Sequence, residues 1–131
     1  SIESIINQTY SNIELIICED GSSDKTYEIA KAYAEKYPEK IILLKNEKNM
    51  GLNYTSNKCI KQATGVYITR QDADDTSSLT RIEKEVEVLE NSHDIAFVGC
   101  NMTYFDDKGQ WGKSCIKENI TKGWFGAWCA V

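Results

Sequence analysis

The chain has 131 residues, 41% of them hydrophobic, which suits one compact domain with a real core. Its formal net charge of −5 offers no basic surface for nucleic acid and argues against that class of partner. No apolar run approaches the roughly 20 residues of a membrane span, and nothing resembles a signal peptide. The five cysteines are scattered without a C-x-x-C pair, which argues against a zinc site. We therefore expect reduced thiols and a cytoplasmic setting. Cys18 and Cys100 lie in apolar runs and are predicted core residues.

Helical and extended patterns alternate along the chain. Apolar residues at helical spacing predict helices over Ser1–Gln8, Lys25–Tyr37, Leu52–Ala63 and Leu79–Asn91. Short apolar runs predict strands over Ile13–Cys18, Ile41–Leu44, Val66–Thr69 and Ile95–Cys100, with a hairpin turn at Asp106–Gly109. The predicted buried positions of the helices include Ile29, Ala30, Tyr33, Ile60, Leu79 and Ile82. This alternation predicts an α/β fold with a parallel sheet and right-handed crossovers.

Carboxylates follow two of the predicted strands. Asp20 comes after the first strand, and Asp72, Asp74 and Asp75 come after the third. The carboxyl ends of parallel strands open onto the ligand crevice of such a sheet. Crowded carboxylates repel each other, and a divalent cation relieves that repulsion; oxygen ligands suit Mg²⁺ or Mn²⁺. Two apart on an extended chain, Asp72 and Asp74 point the same way, which predicts a clamp for a metal–diphosphate.

The acidic segment has a second interpretation, an ordinary turn, because Asp side chains bond readily to their own backbone. For an isolated Asp-x-Asp, the turn is the more common explanation. At the first strand end, capping of the next helix accounts for Ser22–Asp24 but not for Asp20. Gly21 permits a tight turn or the close approach of a ligand to the backbone.

Phosphate-binding loops of the common kinds are absent from the sequence. It has neither G-x-x-x-x-G-K-[ST] nor G-x-G-x-x-G, which argues against an ordinary kinase, GTPase or dinucleotide dehydrogenase. Other motifs occur in a fixed order: Ser4–Tyr10, Ile16–Thr26, Asn49–Gly51 with Asn57, Ala63–Ile68, and Asp72–Asp75. In this order and spacing the chain resembles the family 2 inverting glycosyltransferases of the GT-A fold, from residue 1 to about residue 105.

The resemblance implies a single Rossmann-like GT-A domain over residues 1–131, with a mostly parallel sheet flanked by helices. It implies a nucleotide-sugar donor, most often a UDP-sugar, and Mn²⁺ or Mg²⁺ as cofactor. The Asp matching Asp20 would hydrogen-bond the nucleobase, and Asp74 would ligate the metal with Asp72 beside the diphosphate. Asp75 is either a residue behind the metal ligands or the start of the next helix. The implied donor-binding residues are Asp20, Gly21, Asn49, Gly51 and Asp72.

The chain departs from the family pattern at both ends. The apolar strand that opens the family would precede Ser1, and the part that carries the acidic general base and the acceptor-binding elements would follow Val131. We therefore expect a piece of the enzyme truncated at both ends, not active by itself. An inverting transfer needs a base to deprotonate the acceptor hydroxyl, and no residue of this chain is assigned that role.

The resulting hypothesis is a metal-dependent, inverting transfer of a sugar from a UDP-sugar to a saccharide or lipid-linked acceptor. The default expectation is cell-surface polysaccharide synthesis in a bacterium, in the cytoplasm at the inner face of the plasma membrane. Any membrane association would be peripheral and would use regions outside this chain. Two alternatives stay open at this point: a sugar-phosphate nucleotidyltransferase, and a non-enzymatic Mg²⁺-binding module of the flavodoxin or receiver type.

Overall fold

The structure, a computed structural model, describes residues 1–92 and 94–114, so His93 and residues 115–131 lie outside the description. Ser1–Ile82 form one compact unit, and the described residues from Glu83 onward belong to a second. The elements in chain order are α1 (Ile2–Ile6), β1 (Leu15–Glu19), α2 (Thr26–Lys36), β2 (Ile41–Lys45), α3 (Leu52–Gln62), α4 (Arg81–Asn91), β3 (Thr103–Asp106) and β4 (Gly109–Lys113).

A β-α-β arrangement forms the centre of the first unit. β1 and β2 pair in parallel, with Leu15 opposite Ile41 and Glu19 opposite Lys45. The crossover helix α2 packs against both strands, and α3 packs against β1. The predicted α/β class, with a parallel sheet flanked by helices, is therefore confirmed, as are the positions of these four elements to within a few residues.

The first unit has a small apolar core and several buried polar side chains. The buried apolar residues are Ile5, Ala30, Ile41 and Ile82, and the buried polar ones are Gln8, Glu19 and Asn46. Burying a side chain such as Ile41, which is 4% exposed, stabilises the fold by about 1.5–3 kcal/mol. The polar residues add directional links where the apolar core is thin.

Two of the predicted strands are wrong. Val66–Thr69 and Ile95–Cys100 form no strand in the structure, and Val66 is 90% and Ile68 59% exposed. An apolar run becomes a strand only where a neighbouring backbone takes up its N–H and C=O groups. Among the described residues, the parallel sheet consists of β1 and β2 alone, so neither Val66–Thr69 nor Ile95–Cys100 pairs with it.

Several predicted core positions are also wrong, for a related reason. Ile29, Ile60 and Leu79 are 54%, 38% and 58% exposed, and Cys100 is exposed as well. A sheet two strands wide covers a narrow strip of each helix that packs on it. Positions at the edge of an apolar stripe therefore stay in water, while the central Ala30 is buried.

The second unit contains an antiparallel hairpin. β3 and β4 pair with Asp106 opposite Gly109, which confirms the predicted turn at Asp106–Gly109. Gly109 has φ +116, and the Asp106 carboxylate accepts the backbone N–H of Lys108 at 2.8 Å. Within residues 1–92 and 94–114, no helix combines the length and the apolar character needed to cross a bilayer.

Candidate functional site

The carboxylate of Asp20, directly after β1, is the centre of a hydrogen-bonded group. Its Oδ1 accepts Nδ2–H of Asn46 and the backbone N–H of Met50, both at 2.8 Å. Its Oδ2 accepts the backbone N–H of Gly51 at 2.9 Å. These bonds, that from Asn46 foremost, lower the pKa of the Asp20 carboxyl below its ordinary value, because they favour the charged form. Asp20 is therefore an anion that holds the loop after β2.

Gly21 lets that loop pass close to the strand end. It has φ +78, and a Cβ at this position would lie 2.5 Å from the backbone N of Asn49 and 2.6 Å from the carbonyl carbon of Lys48. Gly51 has φ +86, and its N–H also points at Oδ1 of Asn49, 3.1 Å away. The structure thus brings together four of the predicted donor-binding residues: Asp20, Gly21, Asn49 and Gly51. Their role towards a ligand stays a prediction.

Asn46 and its supports were missed by the sequence reasoning. Asn46 is 4% exposed, and its Nδ2 donates to Thr55 Oγ1 at 3.0 Å as well as to Asp20. Lys58 Nζ donates to Oδ1 of Asn46 at 2.8 Å and to the carbonyl of Lys45 at 2.7 Å. The position of Asn46 in the sequence could have indicated its role, because it follows β2 directly and the carboxyl ends of parallel strands lie at the same edge of the sheet. Asn57, which the motif pairs with Asn49–Gly51, is exposed on α3.

Glu19, the last residue of β1, is buried beside this group. It is 3% exposed, its Oε1 accepts the backbone N–H of Ser22, and its carbonyl accepts the backbone N–H of Asn46 at 2.9 Å. No described residue hydrogen-bonds Oε2 of Glu19. The Glu19 side chain therefore shapes the turn that leads from β1 to α2.

The acidic segment after residue 71 forms a turn. The backbone N–H of Asp75 donates to the carbonyl of Asp72 at 3.1 Å, so the predicted extended geometry of Asp72–Asp74 is wrong. The Asp72 carboxylate pairs with the Arg70 guanidinium, and its side chain is 50% exposed. Asp74 is exposed in the turn. The turn forms because short-range side-chain and backbone bonds are available to Asp in this run.

Two side chains anchor the acidic turn to the helices. Arg81, at the start of α4, donates to Thr69 Oγ1 at 2.7 Å, to the carbonyl of Arg70 at 3.2 Å and to Gln71 Oε1 at 3.0 Å. Ser1 Oγ donates to the carbonyl of Asp72 at 3.1 Å. The turn is thus fixed at its backbone, while the carboxylate of Asp74 faces solvent.

Buried Gln8 joins α1 to the chain that follows this turn. Its Nε2 donates to the carbonyls of Ser4 and Ser78 at 2.8 and 2.7 Å. Its Oε1 accepts the backbone N–H of Ile82 at 3.0 Å, near the start of α4. Because all three bonds are made by one side chain that is 7% exposed, Gln8 sets where α4 begins relative to α1.

The assignment of a divalent cation to Asp72 and Asp74 stays a prediction. Within the described part of the chain, no three His, Cys, Asp or Glu residues converge as a metal site. Mg²⁺ commonly takes one or two carboxylates and completes its shell with water and substrate phosphates. Asp72 and Asp74 offer carboxylates of that kind in one turn, and Arg70 already neutralises part of the charge on Asp72.

The three described cysteines, Cys18, Cys59 and Cys100, are free. Cys18 on β1 hydrogen-bonds Cys59 on α3 through the thiols, and burial raises the pKa of both. A raised pKa keeps the thiol protonated and unreactive near neutral pH. These two cysteines thus link β1 to α3.

Comparison with known proteins identifies the class. The model of the family described as Glycosyl transferase family 2 matches residues 1–125. EpsE of Bacillus subtilis strain 168, which is assigned as a glycosyltransferase, is 48% identical over 109 residues, covering 83% of this chain and 39% of EpsE. An uncharacterized glycosyltransferase of Methanocaldococcus jannaschii is 39% identical over 110 residues, covering 83% of this chain and 38% of the relative.

A third relative has a more specific name. The Escherichia coli protein WfaP, named as a UDP-Glc:α-D-GlcNAc-diphosphoundecaprenol β-1,3-glucosyltransferase, is 37% identical over 90 residues. That match covers 69% of this chain and 35% of WfaP. The chain therefore spans less than two fifths of the length of each of these three relatives.

Proposed function

The chain belongs to glycosyl transferase family 2, and from that membership we propose that the whole protein transfers a sugar from a nucleotide-sugar donor to a saccharide or lipid-linked acceptor. The proposed donor is a UDP-sugar, the proposed cofactor is Mn²⁺ or Mg²⁺, and the proposed stereochemical course is inversion. Membership of this family favours sugar transfer over the nucleotidyltransferase and the non-enzymatic module.

The observation that carries the donor proposal is the environment of Asp20. The Asp20 carboxylate accepts hydrogen bonds from Asn46, Met50 and Gly51, and the Thr55 hydroxyl also hydrogen-bonds it. An anionic acceptor at this strand end suits the N–H of a uracil ring. The loop that the same carboxylate holds, Asn49 to Gly51, lies at the strand end where nucleotides bind in open α/β sheets.

The acidic turn supports the proposed metal dependence. When bound, a divalent cation supplies Lewis-acid stabilisation of the leaving nucleoside diphosphate, whose negative charge grows as the glycosidic bond breaks. Asp72 and Asp74 would hold it from one side. The bonds from Arg81 to Thr69, Arg70 and Gln71 keep the turn in place without using either of these carboxylates.

The relatives support a proposal for the acceptor and the cellular site. WfaP is named for a diphosphoundecaprenol-linked acceptor, which supports a lipid-linked saccharide here and a role in cell-surface polysaccharide synthesis. Such an acceptor is met at the inner face of the plasma membrane, so we place the protein in the cytoplasm at that face. Peripheral contact with the membrane would involve regions outside this chain.

The decisive experiment is calorimetric titration of UDP, with GDP for comparison, with and without Mn²⁺, on the whole protein and its Asp74→Asn variant. We expect UDP binding that strengthens with Mn²⁺, and a loss of about tenfold or more in affinity in Asp74→Asn, because one carboxylate ligand is removed. Asp107→Asn, in the β3–β4 turn, is the matched control and should bind like the wild type. Equal Mn²⁺-dependent affinity in both variants would remove Asp74 from the metal site.

A further inference from the structure

Resting on the proposed function, we propose that Lys58 is a positioning residue for nucleobase recognition. Through the amide of Asn46 it holds the Asp20 carboxylate in the orientation that receives the uracil N–H. Lys58 lies on α3 and does not contact Asp20 itself; its effect passes through one buried side chain.

The Asn46 amide lies between opposite charges. Its carbonyl oxygen faces the Lys58 ammonium at 2.8 Å, and its NH₂ group faces the Asp20 carboxylate at 2.8 Å. Rotating the amide by half a turn would set an oxygen against the carboxylate and an NH₂ group against the ammonium. Both contacts would then be repulsive. Lys58 therefore selects the one orientation of Asn46 in which it donates to Asp20.

The bonds to Asp20 are distributed unevenly over its two oxygens. Oδ1 accepts from Asn46 and Met50, which fills both of its lone-pair positions. Among the described residues, the backbone N–H of Gly51 donates to Oδ2, and the Thr55 hydroxyl also hydrogen-bonds the carboxylate. Without the Asn46 donor, Oδ1 would regain an open position and the carboxylate could turn about its axis. A fixed Asn46 thus holds the carboxylate in one orientation towards the base.

Lys58 also has a structural contact that must be separated from this effect. Its ammonium donates to the carbonyl of Lys45 at the end of β2, at 2.7 Å. Loss of that bond would lower stability without regard to the nucleobase. A role in recognition must therefore appear as a change in preference among bases, which a merely structural role would not produce.

The test compares UDP with CDP by calorimetry on the whole protein with Mn²⁺ present. Uracil N3 carries a hydrogen and cytosine N3 does not, so the pair reports on an acceptor facing that position. We expect Lys58→Met to lose about tenfold in UDP affinity and much less in CDP affinity. Lys58→Arg keeps the positive charge and should recover most of the preference. Lys61→Met, an exposed lysine on the same helix, should leave it unchanged.

A second readout needs no nucleotide. The backbone N–H groups of Met50 and Gly51 donate to Asp20, so their hydrogen exchange reports on the carboxylate's position. We expect exchange at both to quicken by about tenfold in Lys58→Met but not in Lys61→Met. Unchanged exchange and an unchanged UDP/CDP ratio in Lys58→Met would overturn the role of Lys58.

Asp20→Asn separates this proposal from the function on which it rests. If Asp20→Asn abolishes the preference for UDP while Lys58→Met retains it, the donor site stands and the role of Lys58 is wrong. If the wild type shows no preference between UDP and CDP, base recognition by Asp20 is wrong and the proposal for Lys58 falls with it.

Discussion

At the scale of single residues, two carboxylates beside β1 hold distant backbone. Asp20, directly after the strand, accepts the N–H groups of Met50 and Gly51. Glu14, directly before it, accepts the N–H groups of Thr64 and Gly65 at 2.6 and 2.9 Å. Each carboxylate accepts backbone N–H groups of a turn that would otherwise hydrogen-bond to water. The candidate site therefore depends on side chains that act on backbone, a kind of contact that hydrophobic patterning does not report.

Gly21→Ala tests the closest backbone approach in this group. The new Cβ would lie 2.5 Å from the backbone N of Asn49, and an L-residue at φ +78 is strained in addition. We expect the free energy of unfolding to fall by about 1–3 kcal/mol, with weaker UDP binding, as measured by denaturant titration and calorimetry. Gly99→Ala, whose Cβ would meet nothing within 4 Å, should change stability by no more than about 0.5 kcal/mol. Equal effects of the two substitutions would contradict the close approach.

At the scale of elements, the same two carboxylates fix both ends of α3. Gly51 precedes the helix at Leu52, and Thr64 and Gly65 follow its end at Gln62. Because Asp20 and Glu14 lie at opposite ends of β1, they align the helix along the strand with its start at the strand's carboxyl end. α3 has no fully buried residue, so these end contacts matter more for its position than they would for a deeply packed helix.

Glu14→Gln should loosen one end of α3 selectively. A neutral amide oxygen is a weaker acceptor than a carboxylate, so we expect faster hydrogen exchange at Thr64 and Gly65 and unchanged exchange at Met50 and Gly51. Glu47→Gln, an exposed residue in the loop after β2, serves as the control and should alter neither pair. Uniform quickening at both ends of α3 would mean that the helix opens as one unit and that Glu14 is not a local anchor.

The elements that sequence patterns predicted well are those that pack on close neighbours along the chain. β1, α2 and β2 form a contiguous β-α-β arrangement, and β3 and β4 form a hairpin whose turn is Asp106–Gly109. The wrong strands, Val66–Thr69 and Ile95–Cys100, depended on partners distant along the chain. A local apolar run carries no information about whether such a partner lies beside it.

At the scale of the whole molecule, the site was predictable in part. Asp20 and Gly21 follow from the end of a predicted strand, whereas Asn49 and Gly51 were implied by the family resemblance. The geometry of Asp72 and Asp74 could not be predicted, because this acidic sequence is compatible with both a turn and an extended chain. Asn46 and Lys58 were missed because their importance lies in contacts across the fold. Sequence spacing predicts which residues share a sheet edge or a helix face. The hydrogen bonds from Lys58 through Asn46 to Asp20 are visible only in the structure.

The carboxylates that organise the first unit also predict how the protein responds to acid. Hydrogen bonds lower the pKa of Glu14, Asp20 and Asp24 below ordinary values of 4.5 for Glu and 3.8 for Asp. The largest contributors are Thr64 for Glu14, Asn46 for Asp20 and Thr26 for Asp24. In the unfolded chain these groups take up protons at higher pH than in the folded protein. Their stabilising effect is therefore complete above the ordinary values and is lost as pH falls through the lowered ones.

We therefore expect the urea midpoint of unfolding to hold between pH 7 and 5 and to fall steadily below pH 4.5. General charge repulsion predicts the opposite at first, because the net charge of −5 at pH 7 shrinks on acidification. A variant carrying Glu14→Gln, Asp20→Asn and Asp24→Asn should start less stable and change less with pH, because it has no such carboxylates to protonate. Parallel pH profiles of this variant and the wild type would place the acid sensitivity in other groups.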